Sequence, residues 1–284
     1  MKRMVRLANG HTVPAIGLGT WYLGENPATW NKELEALRTG IDAGMTLIDT
    51  AEMYGSGRSE RLVGEAISGM NRESLFVVSK VLPQNAGKSR IFSSCRASLK
   101  RLGTSYLDLY LLHWRGGVPL SETVSCMEEL KKEGLIRDWG VSNFDLEDME
   151  ELWQVKSGQN CLVNQVLYHM GSRGIEYSLL PWMESHHVSL MAYCPLAQGG
   201  SLRRGLMSNP AILEIARAHN AAPTQVLLSW AIRSSNTIAI PRSASPAHTK
   251  ENSLADELDL SPDELMRIEA CYPAPSKKVP LDIQ

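Results

Sequence analysis

Four side chains that can exchange protons lie where apolar runs of the sequence end. Asp49 and Tyr54 follow one run, Lys80 ends a second, and His113 follows a third. Such runs predict strands buried on both faces of a parallel sheet, and the carboxyl ends of these strands meet at one mouth. A lone polar residue at a strand end is most often an ordinary loop residue. Four of complementary type on three successive strands instead predict a shared site for acid–base chemistry.

The segments between these residues predict the elements that position them. Short apolar runs alternate without interruption with helix-prone segments, which predicts right-handed crossovers and a parallel sheet. Eight such units close as a (β/α)8 TIM barrel of the α/β class, and we expect residues 1–284 to form one domain. The predicted strands are 16–19, 46–49, 75–79, 107–112, 138–141, 162–165, 189–192 and 237–240. The predicted helices are 30–43, 58–68, 88–102, 121–133, 146–156, 176–186 and 210–219, with an extra helix at 224–234 and a short helical stretch that carries His248, Glu251 and Asn252.

Both ends of the chain carry further signals. Asn9-Gly10, between two short runs, favours an N-terminal β-hairpin whose two turn residues take positive φ. Ser261 and Glu264 form a capping box that predicts an extra C-terminal helix. The proline-rich segment 273–280 cannot continue that helix. This tail either crosses the mouth of the barrel or forms a loose end.

Composition bears on the partners and on the compartment. The formal net charge of -2 gives no electrostatic reason to expect a nucleic acid or a membrane as a partner. No apolar run suits a secretory signal or a membrane span, so we expect a cytoplasmic protein. The five cysteines lack metal or redox spacing, and the adjacent His186 and His187 cannot face one metal, so no metal site is predicted. The basic pair Arg203-Arg204 is interpreted as solvated surface.

Four segments resemble the signature segments of the aldo-keto reductases. They are Asp-Thr-Ala-Glu-Met-Tyr-Gly at 49–55, Val-Ser-Lys at 78–80, Leu-Asp-Leu-Tyr-Leu-Leu-His-Trp at 107–114 and Gly-Val-Ser-Asn-Phe at 140–144. With Trp21-Tyr22 and the segment 171–177, the chain is most similar to the bacterial branch that reduces methylglyoxal. The resemblance implies a monomer that reduces small aldehydes and 2-oxoaldehydes to alcohols with NADPH.

Carbonyl reduction requires a hydride donor, which no amino acid supplies, so a cofactor must bind. The segment 17–22 lacks the third glycine of a dinucleotide fingerprint, which disfavours a Rossmann site. In barrels, the loops after the seventh and eighth strands commonly hold phosphate. The resemblance implies that the cofactor contacts come from Thr20, Trp21, Asp49, Ser142, Asn143, Gln165, Tyr193, Leu196, Arg242, Ser243, His248, Glu251 and Asn252.

Within that set the resemblance implies separate roles at the nicotinamide end. Ser142, Asn143 and Gln165 would hydrogen-bond the carboxamide. The ring of Tyr193 would stack on the nicotinamide.

The other end of the set would hold the adenosine part of the cofactor. Arg242 and Ser243 would contact the 2′-phosphate, and Glu251 and Asn252 would face the adenine. His248 stands where the family usually has arginine, so NADH remains a possible but weaker cofactor.

The four catalytic candidates then take complementary roles. Tyr54 would be the general acid, and a Lys80 ammonium about 4 Å away is expected to lower the Tyr54 pKa by about three units before burial opposes it. Asp49 would hold Lys80 in its charged form. His113 would hydrogen-bond and orient the carbonyl oxygen.

Aromatic side chains near strand ends predict the wall of a substrate pocket. Trp21, Tyr22, Trp114 and Phe144 would line it together with His113. Two alternatives remain beside the reductase. One is a redox-sensing regulatory subunit of the same fold that binds NADPH with little turnover; the other, a metal-dependent barrel hydrolase, lacks a His and carboxylate ligand cluster.

Overall fold

A ring of eight parallel strands forms the centre of the molecule, which the computed structural model describes for residues 2–284. In chain order the strands are β3 (Leu18–Gly19), β4 (Leu47–Asp49), β5 (Phe76–Val81), β6 (Leu107–Leu112), β7 (Ile136–Ser142), β8 (Val163–Leu167), β9 (Ser189–Tyr193) and β10 (Thr237–Ile240). Each strand pairs with the next one in the sequence. The bonds from Gly17 N to Ala239 O at 2.8 Å and from Gly19 N to Pro241 O at 3.0 Å join the last strand to the first. The predicted (β/α)8 barrel is confirmed.

The strands are apolar because both of their faces are covered. Every residue of β6, from Leu107 to Leu112, is buried, with one side chain facing the barrel interior and the next facing the helices. Polar residues therefore concentrate where the strands end. The carboxyl ends of β4 to β9 carry the candidate site.

Eleven helices are found in residues 2–284, and most of them surround the ring. They are α1 (Trp30–Asp42), α2 (Arg58–Ile67), α3 (Ile91–Leu102), α4 (Leu120–Lys132), α5 (Leu146–Gln154), α6 (Leu179–Ser185), α7 (Gly200–Ser208), α8 (Pro210–Ala218), α9 (Pro223–Ala231), α10 (Pro246–Asn252) and α11 (Pro262–Cys271). The predicted helices are found with ends shifted by a few residues, except that α7 was not predicted. The capping box of α11 is present, with the Ser261 hydroxyl accepting from the Glu264 N–H and the Glu264 carboxylate accepting from the Ser261 N–H.

The N-terminal hairpin pairs β1 (Met4–Arg6) with β2 (Thr12–Pro14), as predicted. Its turn differs from the prediction, because only Gly10 takes a positive φ, of 89°. Asn9 instead accepts from the His11 N–H at 3.0 Å and donates to Asp138 at 2.6 Å. Since Asp138 lies near the start of β7, the hairpin covers the end of the barrel opposite the candidate site.

The C-terminal tail lies across the mouth of the barrel. Lys278 lies 3.4 Å from the Asp145 carboxylate, and the Asp282 carboxylate accepts from the Ser172 hydroxyl. The backbone N–H of Gln284 donates to the Tyr193 hydroxyl at 3.3 Å. Of the two possibilities that the sequence left open, the structure selects the docked tail.

Candidate active site

Lys80 joins the acid and the phenol of the signature segment. Its ammonium donates to Asp49 Oδ2 at 2.7 Å, to Thr50 O at 2.9 Å and to the Tyr54 hydroxyl at 3.1 Å. Asp49 ends β4, Tyr54 begins the short turn before α2, and Lys80 lies near the end of β5. Lys80 is fully buried, so its three partners replace the water that the ammonium loses.

Burial pushes the groups of this cluster toward their neutral forms. It raises the pKa of Asp49 and lowers the pKa of Lys80, while the ion pair between them opposes both shifts. Burial also raises the pKa of Tyr54 well above its ordinary value, and the charge of Asp49 adds to this shift. The lowering expected from Lys80 was stated before the opposing effect of burial, and burial outweighs it here. The charge of Asp49, which lies 2.7 Å from the ammonium, adds to the rise.

His113 follows β6 and is held in its neutral form. Burial, and then the charge of Lys80, lower the pKa of His113 to about 2. Its ring meets the ring of Tyr54 edge-on, with 5.7 Å between the centroids. A neutral imidazole beside the phenol can take part in a hydrogen bond without adding a second positive charge.

A hydrogen-bonded chain connects the ends of β7 and β9. The Asn143 amide donates to His113 O at 3.1 Å and accepts from the Tyr193 hydroxyl at 2.9 Å. Asn143 has a φ of 57°, a left-handed conformation that asparagine tolerates better than most residues. The Ser142 hydroxyl donates to Gln165 O at 2.8 Å, and Gln165 Nε2 donates to Asp49 Oδ1 at 2.7 Å. Ser142, Asn143 and Gln165, which are predicted to contact the carboxamide, are therefore held by hydrogen bonds to one another and to the catalytic candidates Asp49 and His113.

A cavity of about 200 Å³ opens above this cluster. Trp21, Tyr22 and Trp114 line it as predicted, and Trp21 stacks on Tyr22 with 4.7 Å between the ring centroids. Phe144 does not: it is fully buried in the core and lies outside the cavity. The expectation that it lines the pocket was wrong, because the chain turns at Asn143 and directs the next side chain inward.

The remaining cofactor candidates divide between the cavity wall and the region around α10. Thr20, Leu196 and Arg242 line the cavity, and the Thr20 hydroxyl donates to Asp49 O at 2.9 Å. Ser243 follows Arg242 and donates to Ser245 O at 3.1 Å.

The candidates on α10 lie outside the cavity wall. His248 is exposed, Asn252 is buried, and Glu251 accepts from the Thr224 hydroxyl at 2.6 Å. In residues 2–284, Arg242 makes no ion pair with a carboxylate. The cavity wall thus combines the Arg242 guanidinium with amide groups and the aromatic ring of Tyr193, and these are groups that can bind a dinucleotide.

The sequence analysis did not predict several residues of the cavity wall as site residues, among them Arg203, Cys194 and Gln284. Arg203 was interpreted as solvated surface, and Gln284 belongs to the tail. Burial raises the pKa of Cys194 to about 11. Glu52 accepts from Leu82 N at 2.8 Å and from Asn85 Nδ2 at 3.0 Å, so it ties the loop after β4 to the segment after β5.

The described chain shows neither a metal-binding cluster nor a membrane-spanning helix. Within residues 2–284 no group of three or more His, Cys, Asp or Glu side chains is arranged to hold a metal ion. No helix in the same range is long and apolar enough to cross a membrane.

Comparison with known proteins gives consistent matches along the chain. It is 51% identical to methylglyoxal reductase YeaE of Escherichia coli (strain K12) over 282 residues, which cover 99% of each protein. It is 35% identical to glyoxal reductase of Bacillus subtilis (strain 168), covering 95% of this chain and 93% of that protein.

Solved structures agree with this result. An aldo/keto reductase from Klebsiella pneumoniae in complex with NADP and acetate superposes with a TM-score of 0.97, at 51% identity and with 100% of both chains covered. An aldo-keto reductase from the same organism in complex with NADPH gives the same values. The model of the Aldo/keto reductase family matches residues 15–273. The chain belongs to the aldo/keto reductase family.

Proposed function

We propose that this protein reduces small aldehydes and 2-oxoaldehydes such as methylglyoxal to alcohols with NADPH. The observation that carries the proposal is the buried Lys80 ammonium, which holds Asp49 and Tyr54 together beside a neutral His113. The resemblance to two reductases of 2-oxoaldehydes and to structures with bound NADP or NADPH supports the substrate and the cofactor.

The residues at the ends of β7 to β9 would hold the nicotinamide. Its chemistry when bound is to supply the hydride that no side chain can supply. Ser142, Asn143 and Gln165 carry the hydroxyl and amide groups that a carboxamide can bond, and Tyr193 offers an aromatic face at the cavity wall. The contacts of Arg242, Ser243, His248, Glu251 and Asn252 with the adenosine part remain part of this proposal.

Tyr54 would donate the proton to the carbonyl oxygen. A raised pKa keeps its hydroxyl protonated throughout the physiological range. The acceptor is an alkoxide, whose basicity is close to that of hydroxide, with a conjugate-acid pKa of about 15.7, so even a weakened phenol gives up its proton. As the phenolate forms, the hydrogen bond from Lys80 becomes charge-assisted and stronger.

His113 would orient the carbonyl oxygen toward Tyr54. Because burial lowers its pKa to about 2, the ring is neutral and offers one N–H donor. Trp21, Tyr22 and Trp114 would pack against the rest of the substrate.

The test is NADPH oxidation by the full chain with methylglyoxal and a panel of small aldehydes. The proposal predicts rapid turnover with the 2-oxoaldehyde and slower turnover with NADH. Tight NADPH binding without reduction of any panel member would reject the enzyme and favour the redox-sensing regulatory subunit. The monomer, the cytoplasmic location and the lack of a nucleic-acid partner stay predictions.

A further inference from the structure

A buried carboxylate, that of Glu60, lies near the catalytic cluster but outside the cavity. Glu60 is in the first turn of α2, and its side chain is fully buried. In residues 2–284 no other carboxylate side chain belongs to a less exposed residue. Glu60 is not among the residues that line the cavity, so a role in the reaction would have to be exerted through its neighbours.

Two elements of the barrel compensate the charge of Glu60. The Ser79 hydroxyl donates to Glu60 Oε1 at 2.7 Å, and Arg101, in the last turn of α3, donates through Nε to Oε2. The Arg101 side chain also packs against Gly57, where a Cβ would lie 2.6 Å from Arg101 Nε. Apolar side chains in the same space are often as stabilising as a buried ion pair. Stability alone therefore gives no strong reason for a carboxylate at this position.

Glu60 connects the two segments that carry Lys80 and Tyr54. Ser79 immediately precedes Lys80 in β5, and the alternation of a strand directs the Ser79 side chain toward the helices while Lys80 faces the barrel interior. Tyr54 begins the short turn that leads directly into α2. The hydrogen bond from Ser79 to Glu60 therefore ties the segment of the phenol to the strand of the ammonium.

Glu60 also places negative charge near Lys80. Burial lowers the pKa of Lys80, and the charge of Asp49 and then that of Glu60 oppose this shift. The other titratable groups that face the ammonium are the Tyr54 hydroxyl, at 3.1 Å, and the neutral His113. The position of Glu60 thus favours the charged form of Lys80 from the side opposite the cavity.

We propose that Glu60 is a positioning residue that holds Lys80 within hydrogen-bonding distance of the Tyr54 hydroxyl, acting through Ser79 and the first turn of α2. This inference rests on the proposed function, since it concerns the proton donor of that reaction. Because Glu60 lies outside the cavity, its replacement should lower kcat while the KM for the carbonyl substrate and the Kd for NADPH stay close to the wild-type values.

Reduction of methylglyoxal as a function of pH tests the charge of Glu60. Glu60→Gln keeps the size of the side chain and an oxygen that can accept from Ser79, but it removes the charge. We expect kcat to fall by about 10- to 100-fold, as for a reacting group displaced by up to about 1 Å. The decline of kcat at alkaline pH should begin at lower pH, because a nearby negative charge favours both the ammonium of Lys80 and the neutral phenol of Tyr54.

Asp138→Asn is the matched control for Glu60→Gln. Asp138 is also buried and also has one cationic and one neutral partner, with Lys131 at 2.6 Å and Asn9 at 2.6 Å, but it lies at the opposite end of the barrel. Its replacement should leave kcat and the pH dependence of kcat unchanged.

Ser79→Ala tests the link between Glu60 and the strand of Lys80. It keeps the charge of Glu60, so we expect kcat to fall by about 10-fold without a shift of the alkaline decline. Ser189→Ala is the control, since Ser189 is a buried serine that begins β9 and donates to Asn236 Oδ1 at 2.7 Å. Thermal melting of each variant verifies that it is folded under the assay conditions.

A wild-type kcat in Ser79→Ala, or an unchanged alkaline decline in Glu60→Gln, would overturn the assignment. If the wild-type chain reduces no carbonyl compound, the proposed function itself fails. Urea unfolding then decides separately whether Glu60 acts on Lys80. The effects of Glu60→Gln and Lys80→Met on the free energy of unfolding should not add if the two side chains are coupled, and additive effects would refute the coupling.

Discussion

The buried Lys80–Asp49 pair gives a sharp prediction about stability. Lys80→Met removes the ammonium but keeps an unbranched side chain of similar length, so Asp49 remains buried with Gln165 as its side-chain donor. Breaking a buried ion pair by removing one partner typically costs about 3–5 kcal/mol. For 284 residues the unfolding entropy is about 0.6 kcal/mol per degree, so the melting temperature should fall by ~5–8 °C.

A double-mutant cycle separates the ion pair from the packing of the side chain. Lys80→Met with Asp49→Asn removes both charges, and the double variant should be more stable than Lys80→Met alone. Lys88→Met is a control, because Lys88 is exposed and its ammonium has no ion pair within residues 2–284. We expect that control to shift the free energy of unfolding by less than about 0.5 kcal/mol.

The pH dependence of the same variant has a definite sign. Burial raises the pKa of Asp49 above 3.8, and removal of Lys80 withdraws the charge that opposes this shift. A folded-state pKa above the unfolded value stabilises the protein at low pH, and this stabilisation is lost as the pH rises. The deficit of Lys80→Met should therefore be smaller near about pH 5 than near about pH 8. Urea unfolding followed by tryptophan fluorescence measures the free energy of unfolding at both pH values. Two results would refute the reasoning. The effects of Lys80→Met and Asp49→Asn could simply add in the double variant, or the deficit of Lys80→Met could be equal at both pH values.

Three further predictions follow from the described contacts. Burial lowers the pKa of His113 from 6.5 to about 2, so the unfolded chain binds more protons below pH 6.5 and the fold loses up to about 1.4 kcal/mol per pH unit there. His113→Gln should flatten that slope in acid unfolding, and an unchanged slope would contradict the assignment of a neutral ring. Tyr193→Phe keeps the ring but removes the hydroxyl that contacts Gln284, so amide hydrogen exchange of residues 278–284 should accelerate; unchanged exchange would show that other contacts hold the tail. Ser261→Ala removes the N-cap of α11 and should cost about 1 kcal/mol in thermal melting, whereas the exposed Ser68→Ala should cost much less.

The barrel could be predicted because the hydrophobic pattern of each strand and helix lies within a short stretch of sequence. Most strands lie in a short apolar run and most of the predicted helices have an amphipathic face, so the alternation of elements is visible within windows of about ten residues. The four residues at strand ends were found for the same reason, since a parallel barrel brings the carboxyl ends of its strands together.

The features that the sequence did not predict depend on contacts between distant parts of the chain. α7 has glycines at its start and at Gly205, and Leu202 is exposed, so no apolar face marked it as a helix. The docking of Gln284 on Tyr193 joins residues 91 positions apart. The pKa of Tyr54 is raised first by burial and then by the charge of Asp49, and spacing in the sequence gives neither of these.

In the proposed reaction Tyr54 supplies the proton while the cofactor supplies the hydride. The most direct measurement compares methylglyoxal reduction by the wild type and by Tyr54→Phe at saturating NADPH, with the NADPH Kd determined for both. We expect a loss of about 10²- to 10⁴-fold in kcat, with little change in Kd. Reduction by Tyr54→Phe at close to the wild-type rate would rule out Tyr54 as the proton donor.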